Sequence, residues 1–107
     1  MPSSFRRATP LQVIDAATAS RLAETFGALS DPTRLRIISA LAHHELSVGA
    51  LATTVGLSES ATSHQLRVLR TLRLVRARRD GRRSFYCLAD DHIHDLFDRA
   101  LEHAKHD

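Results

Sequence analysis

Four residues near the end of the chain, Asp90, His92, His103 and His106, are of types that bind divalent cations: one carboxylate and three imidazoles. Such a set suits tetrahedral Zn2+, with Co2+ or Ni2+ as competitors. On a helix, eleven steps of 100° return His103 to within about 20° of His92, and His106 falls about 40° to the other side, so the three line one edge. The same spacing separates His92 from His103 by roughly 16 Å along the axis, whereas the ligands of one ion lie about 2 Å from it. One chain cannot close this site. Two copies of the helix packed antiparallel would bring Asp90 and His92 of one against His103 and His106 of the other, and two-fold symmetry would make the site twice. The adjoining stripe of Ile93, Leu96, Ala100, Leu101 and Ala104 offers an apolar face for that packing. The competing reading is a solvated helix that happens to be rich in histidine. His94 points roughly opposite to His92, and His43 and His44 lie near a helix end, so these three read as surface or capping residues.

A second group of residues suits the reading of double-stranded DNA. Ser60, Ser63, His64 and Arg67 fall on one face of a predicted helix, while Leu66, Leu69 and Leu72 face away. Short hydroxyl and imidazole groups near a helix N-terminus let the backbone approach a duplex and donate to bases and phosphates. Arg70 extends the contact to phosphate. Downstream, Arg78, Arg79, Asp80, Gly81, Arg82 and Arg83 form an arginine-rich tip that would reach an adjacent groove or backbone, with Arg79, Arg82 and Arg83 as its candidate contacts. Taken one at a time, each of these residues also fits a solvated surface. Their order along the chain favours DNA binding.

The elements that must position both groups are legible from caps and periodicity. Residues 14–29 carry apolar positions at Leu22, Phe26 and Leu29 with helical spacing. A second helix follows, with Asp31 able to cap it and Pro32 at its first position, and ends near His43 and His44. Ser47 can cap a short helix ending at Val55, Gly56 can take the left-handed conformation after it, and Ser58 can cap a longer helix through about Thr71. Two helices joined by a tight glycine-containing turn make a helix-turn-helix. Two strand-like runs around Asp80-Gly81 predict a hairpin wing, and helix returns from about Asp91. The fold class is mainly α with a β-hairpin wing, a winged helix-turn-helix. Residues 1–10, with two prolines and two serines, read as a flexible arm preceding one domain over 11–107.

Composition narrows the function classes. A chain of 107 residues buries only a modest core, so dimerisation is an attractive way to add buried area. No apolar run is long enough to span a bilayer and the first residues lack a secretory apolar region, which predicts a cytoplasmic protein with no membrane partner. The single cysteine, Cys87, excludes an internal disulfide and any thiolate pair within the chain, and reads as a small buried hydrophobe. Residues 67–83 hold eight arginines against Asp80, while residues 90–107 hold six acids against Arg99 and Lys105. One region is suited to phosphate and the other to a cation.

The stretches LSDPTRLRIISAL, LSVGALATTVGLSESATSHQLRVLRTLRLV and RRDGRRSFYCLADDHIH together resemble the ArsR/SmtB family of bacterial metal-sensing repressors, over about Leu22 to His106. The resemblance implies a homodimeric repressor whose first and last helices form the dimer interface. The family's zinc-sensing branch carries Asp-x-His-x10-His-x2-(Glu or His) on its last helix, and Asp90, His92, His103 and His106 match it without a gap. A second inducer site of the family needs a cysteine pair before the turn, where this chain reads ELSVGAL. Similar nickel and cobalt sensors recruit a Gly-His amino terminus, which MPSSF does not supply.

By the same resemblance, the apo dimer would hold a palindromic operator and Zn2+ would release it, derepressing genes for metal efflux or sequestration. The ring nitrogen of His103 not bound to metal would donate to the backbone carbonyl of Arg73, the route from metal site to recognition helix. Alternatives are a nickel- or cobalt-responsive repressor, a winged-helix regulator with no metal inducer, and an architectural DNA protein without an operator. A zinc hydrolase is disfavoured because four protein ligands leave no position for water and no paired base or nucleophile is evident.

Overall fold

The protein is described by a computed structural model over residues 11–106. The arm expected at residues 1–10 lies outside the described residues. Five helices and three strands follow in the order α1 (Ala16–Ala28), α2 (Pro32–Leu41), β1 (Leu46–Ser47), α3 (Val48–Val55), α4 (Glu59–Thr71), β2 (Val75–Asp80), β3 (Arg83–Leu88) and α5 (Asp91–Lys105).

Most boundaries are set by side chains that satisfy the free N–H groups of a first turn. Asp15, Ser47, Ser58 and Asp90 each accept a hydrogen bond from the backbone N–H three residues on, at Thr18, Ala50, Ala61 and Ile93. Because Asp15 is a cap, α1 starts at Ala16, two residues later than its apolar spacing suggests. Asp31 stands at the N-cap of α2 in extended conformation but makes no capping bond; its carboxylate lies 3.7 Å from Arg34 instead. Pro32 holds the first position of that helix, where a missing N–H costs nothing.

Gly56, at φ 75°, ends α3 and lets the N–H of Leu57 return to the Ala52 carbonyl, which closes the turn into α4. The end of α4 has the same geometry without a glycine. Leu74 donates to the Leu69 carbonyl and Arg73 to that of Arg70, a Schellman closure that places Arg73 at φ 61°. A side chain in this region costs about 1–2 kcal/mol. Arg73→Gly is expected to raise stability by about 0.5–1 kcal/mol, after allowing for the greater entropy of an unfolded glycine. Urea denaturation checks this, and a lower stability would show that contacts of the arginine already offset the backbone cost.

The hairpin differs in detail from expectation. Asp80 pairs with Arg83, so the two-residue loop is Gly81-Arg82 rather than Asp80-Gly81. Gly81, at φ 64°, takes the first loop position, as a type II′ turn requires. The strand β1, too short to leave a periodic signal, pairs with β3 on its other side and gives a three-stranded antiparallel sheet of order β1-β3-β2.

The core gathers Ile37, Ile38 and Leu41 of α2, Leu51 and Val55 of α3, Leu66 and Leu69 of α4, with Leu74, Val75 and Leu88 from the base of the wing. Ala28 is the buried residue of α1, and α5 has none; Ile93 and Phe97 only lean on the core. Leu22 and Phe26 of α1 are 43% and 54% exposed, an apolar face left open by a single chain. The radius of gyration, 16.5 Å, exceeds the roughly 13 Å of a compact domain this size. No helix among the described residues is long and apolar enough to cross a membrane.

Candidate nucleic-acid interface and terminal-helix histidines

α4 turns Thr62, Leu66 and Leu69 inward and leaves Ser60, His64, Arg67 and Arg70 exposed. The hydroxyl of the fully buried Thr62 donates to the Ser58 carbonyl, so this polar residue in the core carries no unmet hydrogen bond. Ser63 is half-buried. It lines a cleft of about 440 Å³ between the helix-turn-helix and the wing, shared with Gly49, Glu59, Arg82 and Arg83. Three of the four expected reading residues therefore face outward, and the fourth faces the wing.

The wing arginines divide into two sets. Arg79 and Arg82 are exposed and uncommitted to any side-chain bond among the described residues. Arg78, expected at the DNA-facing tip, instead donates from Nε and Nη2 to both carboxylate oxygens of Glu45, at 2.8 and 2.7 Å, and lies 4.8 Å from the centre of the Phe85 ring. Arg83 also sits over Phe85, at 5.2 Å, and donates from Nη2 to the Ser47 hydroxyl at 3.4 Å. These contacts tie the outer half of the wing to Glu45 and Ser47, just ahead of α3. The bonds from Arg78 hold the Glu45 carboxyl below the usual carboxylate range. Because that value is depressed in the folded chain, the pair is intact at neutral pH and loosens only as pH falls through it.

The four candidate ligands are exposed and lie at the two ends of α5. Asp90 uses Oδ1 to cap the helix at Ile93, 3.0 Å away, and the same oxygen stands 3.7 Å from Nδ1 of His92, whose side chain is 95% exposed. His103 is in the last turn and exposed; His106 is the C-cap, its N–H bonded to the His103 carbonyl. Among the described residues of one chain, no three His, Cys, Asp or Glu side chains are gathered as a metal site. No backbone N–H of the described residues donates to the carbonyl of Arg73.

His94, read as a surface residue, is half-buried: its Nδ1 is 3.3 Å from Asp98 and its ring meets that of His43 edge-on at 5.7 Å. Cys87 is half-buried rather than enclosed, with Nε of Arg76 3.3 Å from its sulfur. Two contacts carried no sequence signal at all. Nε of Arg34 donates to Oε1 of Gln65 at 2.9 Å, and Nη1 of Arg36 donates to the Val55 carbonyl at 3.0 Å.

Residues 31–77, which hold α2, the helix-turn-helix and the start of the wing, match the bacterial regulatory protein, arsR family. Over 94 residues the chain is 50% identical to the transcriptional repressor SmtB homolog of Synechocystis, covering 88% of this chain and 71% of that protein. The chain belongs to the ArsR/SmtB family. It is 43% identical over 100 residues to the transcriptional regulator NmtR of Mycobacterium tuberculosis, covering 94% and 83% of the two chains. Its fold resembles the homodimeric winged helix-turn-helix DNA-binding domain of a possible ArsR-family regulator from Mycobacterium bovis, with a TM-score of 0.81, 34% identity and coverage of 84% and 83%. As a member of the ArsR/SmtB family the chain is a transcriptional regulator, and the hydrolase reading of its Asp and His residues is set aside.

Proposed function

We propose that this ArsR/SmtB-family regulator is a homodimeric repressor that releases a palindromic operator when Zn2+ binds between its two terminal helices. The observation that carries the reading is the arrangement along α5: Asp90 and His92 at its start, His103 and His106 at its end, all four exposed, with His92 and His103 eleven residues apart and so on one face of the helix. Exposed imidazoles and a carboxylate beside an apolar stripe are chemically suited to a shared tetrahedral site.

Homodimerisation is supported by the open apolar surface. Leu22 and Phe26 on α1 are about half exposed, and a groove of about 280 Å³ beside α5 is lined by Leu35, Phe97, Ala100, Leu101 and Ala104. A second copy is the occupant that fits both, because it also supplies the missing half of each ligand set. Each site would take Asp90 and His92 from one protomer and His103 and His106 from the other. Bound there, Zn2+ would supply a cross-link between protomers, and Co2+ or Ni2+ would suit the same donors less selectively.

The residues of the chain do the rest. Ser60, His64 and Arg67 of each protomer would enter successive major grooves, with Ser63 beside them and Arg79, Arg82 and Arg83 at the flanking backbone. His103, once its ring is fixed, would donate its remaining N–H to the free carbonyl of Arg73, which the left-handed turn leaves just beyond α4. The dimer shape that closes both sites must differ from the one that fits DNA, and the coupling is then reciprocal. The regulator would work in the cytoplasm, where the operator lies.

Zinc titrated into the operator-bound protein, followed by fluorescence anisotropy, tests the reading. Operator affinity should fall roughly 5- to 150-fold. Unchanged affinity with zinc bound would reject metal-driven release and leave a regulator with another inducer.

A further inference from the structure

We infer that α2 is the link that carries a change at α5 to the recognition helix, through Arg34 and Arg36; the inference deepens the metal-responsive reading and rests on it. α2 is held in the core by the fully buried Ile37 and Ile38, so it moves as one body with the helices it touches. On one side, Leu35, Arg36 and Ser39 share a groove with Phe97, Ala100 and Leu101 of α5. On the other, Arg34 reaches Gln65 in the middle of α4, and Arg36 reaches the carbonyl of Val55 at the end of α3.

Both bonds are partly buried and involve a charged donor, the class worth more than neutral or fully exposed bonds. Arg36 also places its charge at a helix C-terminus, where free carbonyls favour a cation. Arg36 thus lines the groove and also donates to the end of α3. Gln65 is a suitable acceptor on a DNA-reading helix, since it offers an oxygen without an anion that phosphate would repel. A displacement of α5 against its partner is felt at Leu35 and Arg36. The two arginines deliver it to the helices that present Ser60, Ser63 and His64.

A double-mutant cycle on operator affinity of the full-length apo protein tests this, at concentrations where sedimentation shows dimer. Leu101→Ala perturbs the groove and Gln65→Met removes the acceptor; Gln65→Glu keeps it. Leu101→Ala alone is expected to change affinity at least about threefold, the scale of coupling between connected sites. In the Gln65→Met background its effect should shrink to less than about 1.5-fold, and in Gln65→Glu it should persist. Arg34→Met, on the other side of the same bond, should reproduce Gln65→Met if that variant folds poorly. The link is overturned if Leu101→Ala has no effect, or if its effect is the same in every background. Because the cycle needs no metal, failure of zinc to release the wild-type protein rejects the proposed inducer without deciding this result.

Discussion

His103→Ala should leave the apo protein's operator affinity within about twofold of wild type, as for an exposed substitution away from the duplex, and abolish the zinc response. His103 lies in the last turn of α5 and is exposed, so its removal opens no cavity, and alanine is the better helix former. On the proposed reading, its loss would remove one ligand from each of the two shared sites and the ring proposed to donate to the Arg73 carbonyl. The wild-type ratio of apo to zinc-loaded affinity, roughly 5 to 150, should therefore collapse towards one. Competitive zinc titrations and operator anisotropy on the same preparations measure both halves. Zinc-driven release of wild-type size in this variant would remove His103 from the mechanism.

Leu69→Ala should have the largest effect on stability. Leu69 is fully buried, on the face of α4 opposite to His64 and Arg67, where it meets the core formed by α2, α3 and the base of the wing. Truncation of a buried leucine costs about 2–5 kcal/mol, against a usual total of about 5–15 kcal/mol for a domain. Urea denaturation at fixed protein concentration should show the loss, and added operator should recover part of it by mass action. A cost below about 1 kcal/mol would mean that α4 is not seated on the core in this way.

What could be read ahead of the structure was what is local. Ser47, Ser58 and Asp90 act through a backbone N–H three residues away, and Gly56 through its own φ, so their roles are visible in short stretches. Asp31 shows the limit of that logic: the residue type fits a cap, but the nearby Arg34 draws its carboxylate away. Contacts across long separations were not visible. Arg78 and Glu45 are 33 residues apart, and Arg34 and Gln65 are 31 apart, so only the packing of α2 and the sheet brings them together. For the same reason an arginine expected to face DNA is spent on the wing's anchor. Arg73 stands where a glycine would ordinarily mark a left-handed turn, and its side chain gave no warning. That His92 and His103 share a face of α5 follows from the helical repeat and could be read locally; the proposed closure of a metal site would need a second chain and so lies beyond any one protomer's geometry.

That closure is tested most directly by mixing two crippled proteins. One carries Asp90→Ala and His92→Ala, the other His103→Ala and His106→Ala, so neither homodimer holds a complete site. In the heterodimer, one interface combines the intact Asp90 and His92 of the second protein with the intact His103 and His106 of the first. Zinc stoichiometry measured on the purified heterodimer should be one tight site per dimer, against two in wild type and none in either homodimer. Tight binding by a mutant homodimer, or none by the heterodimer, would contradict a site shared between antiparallel terminal helices.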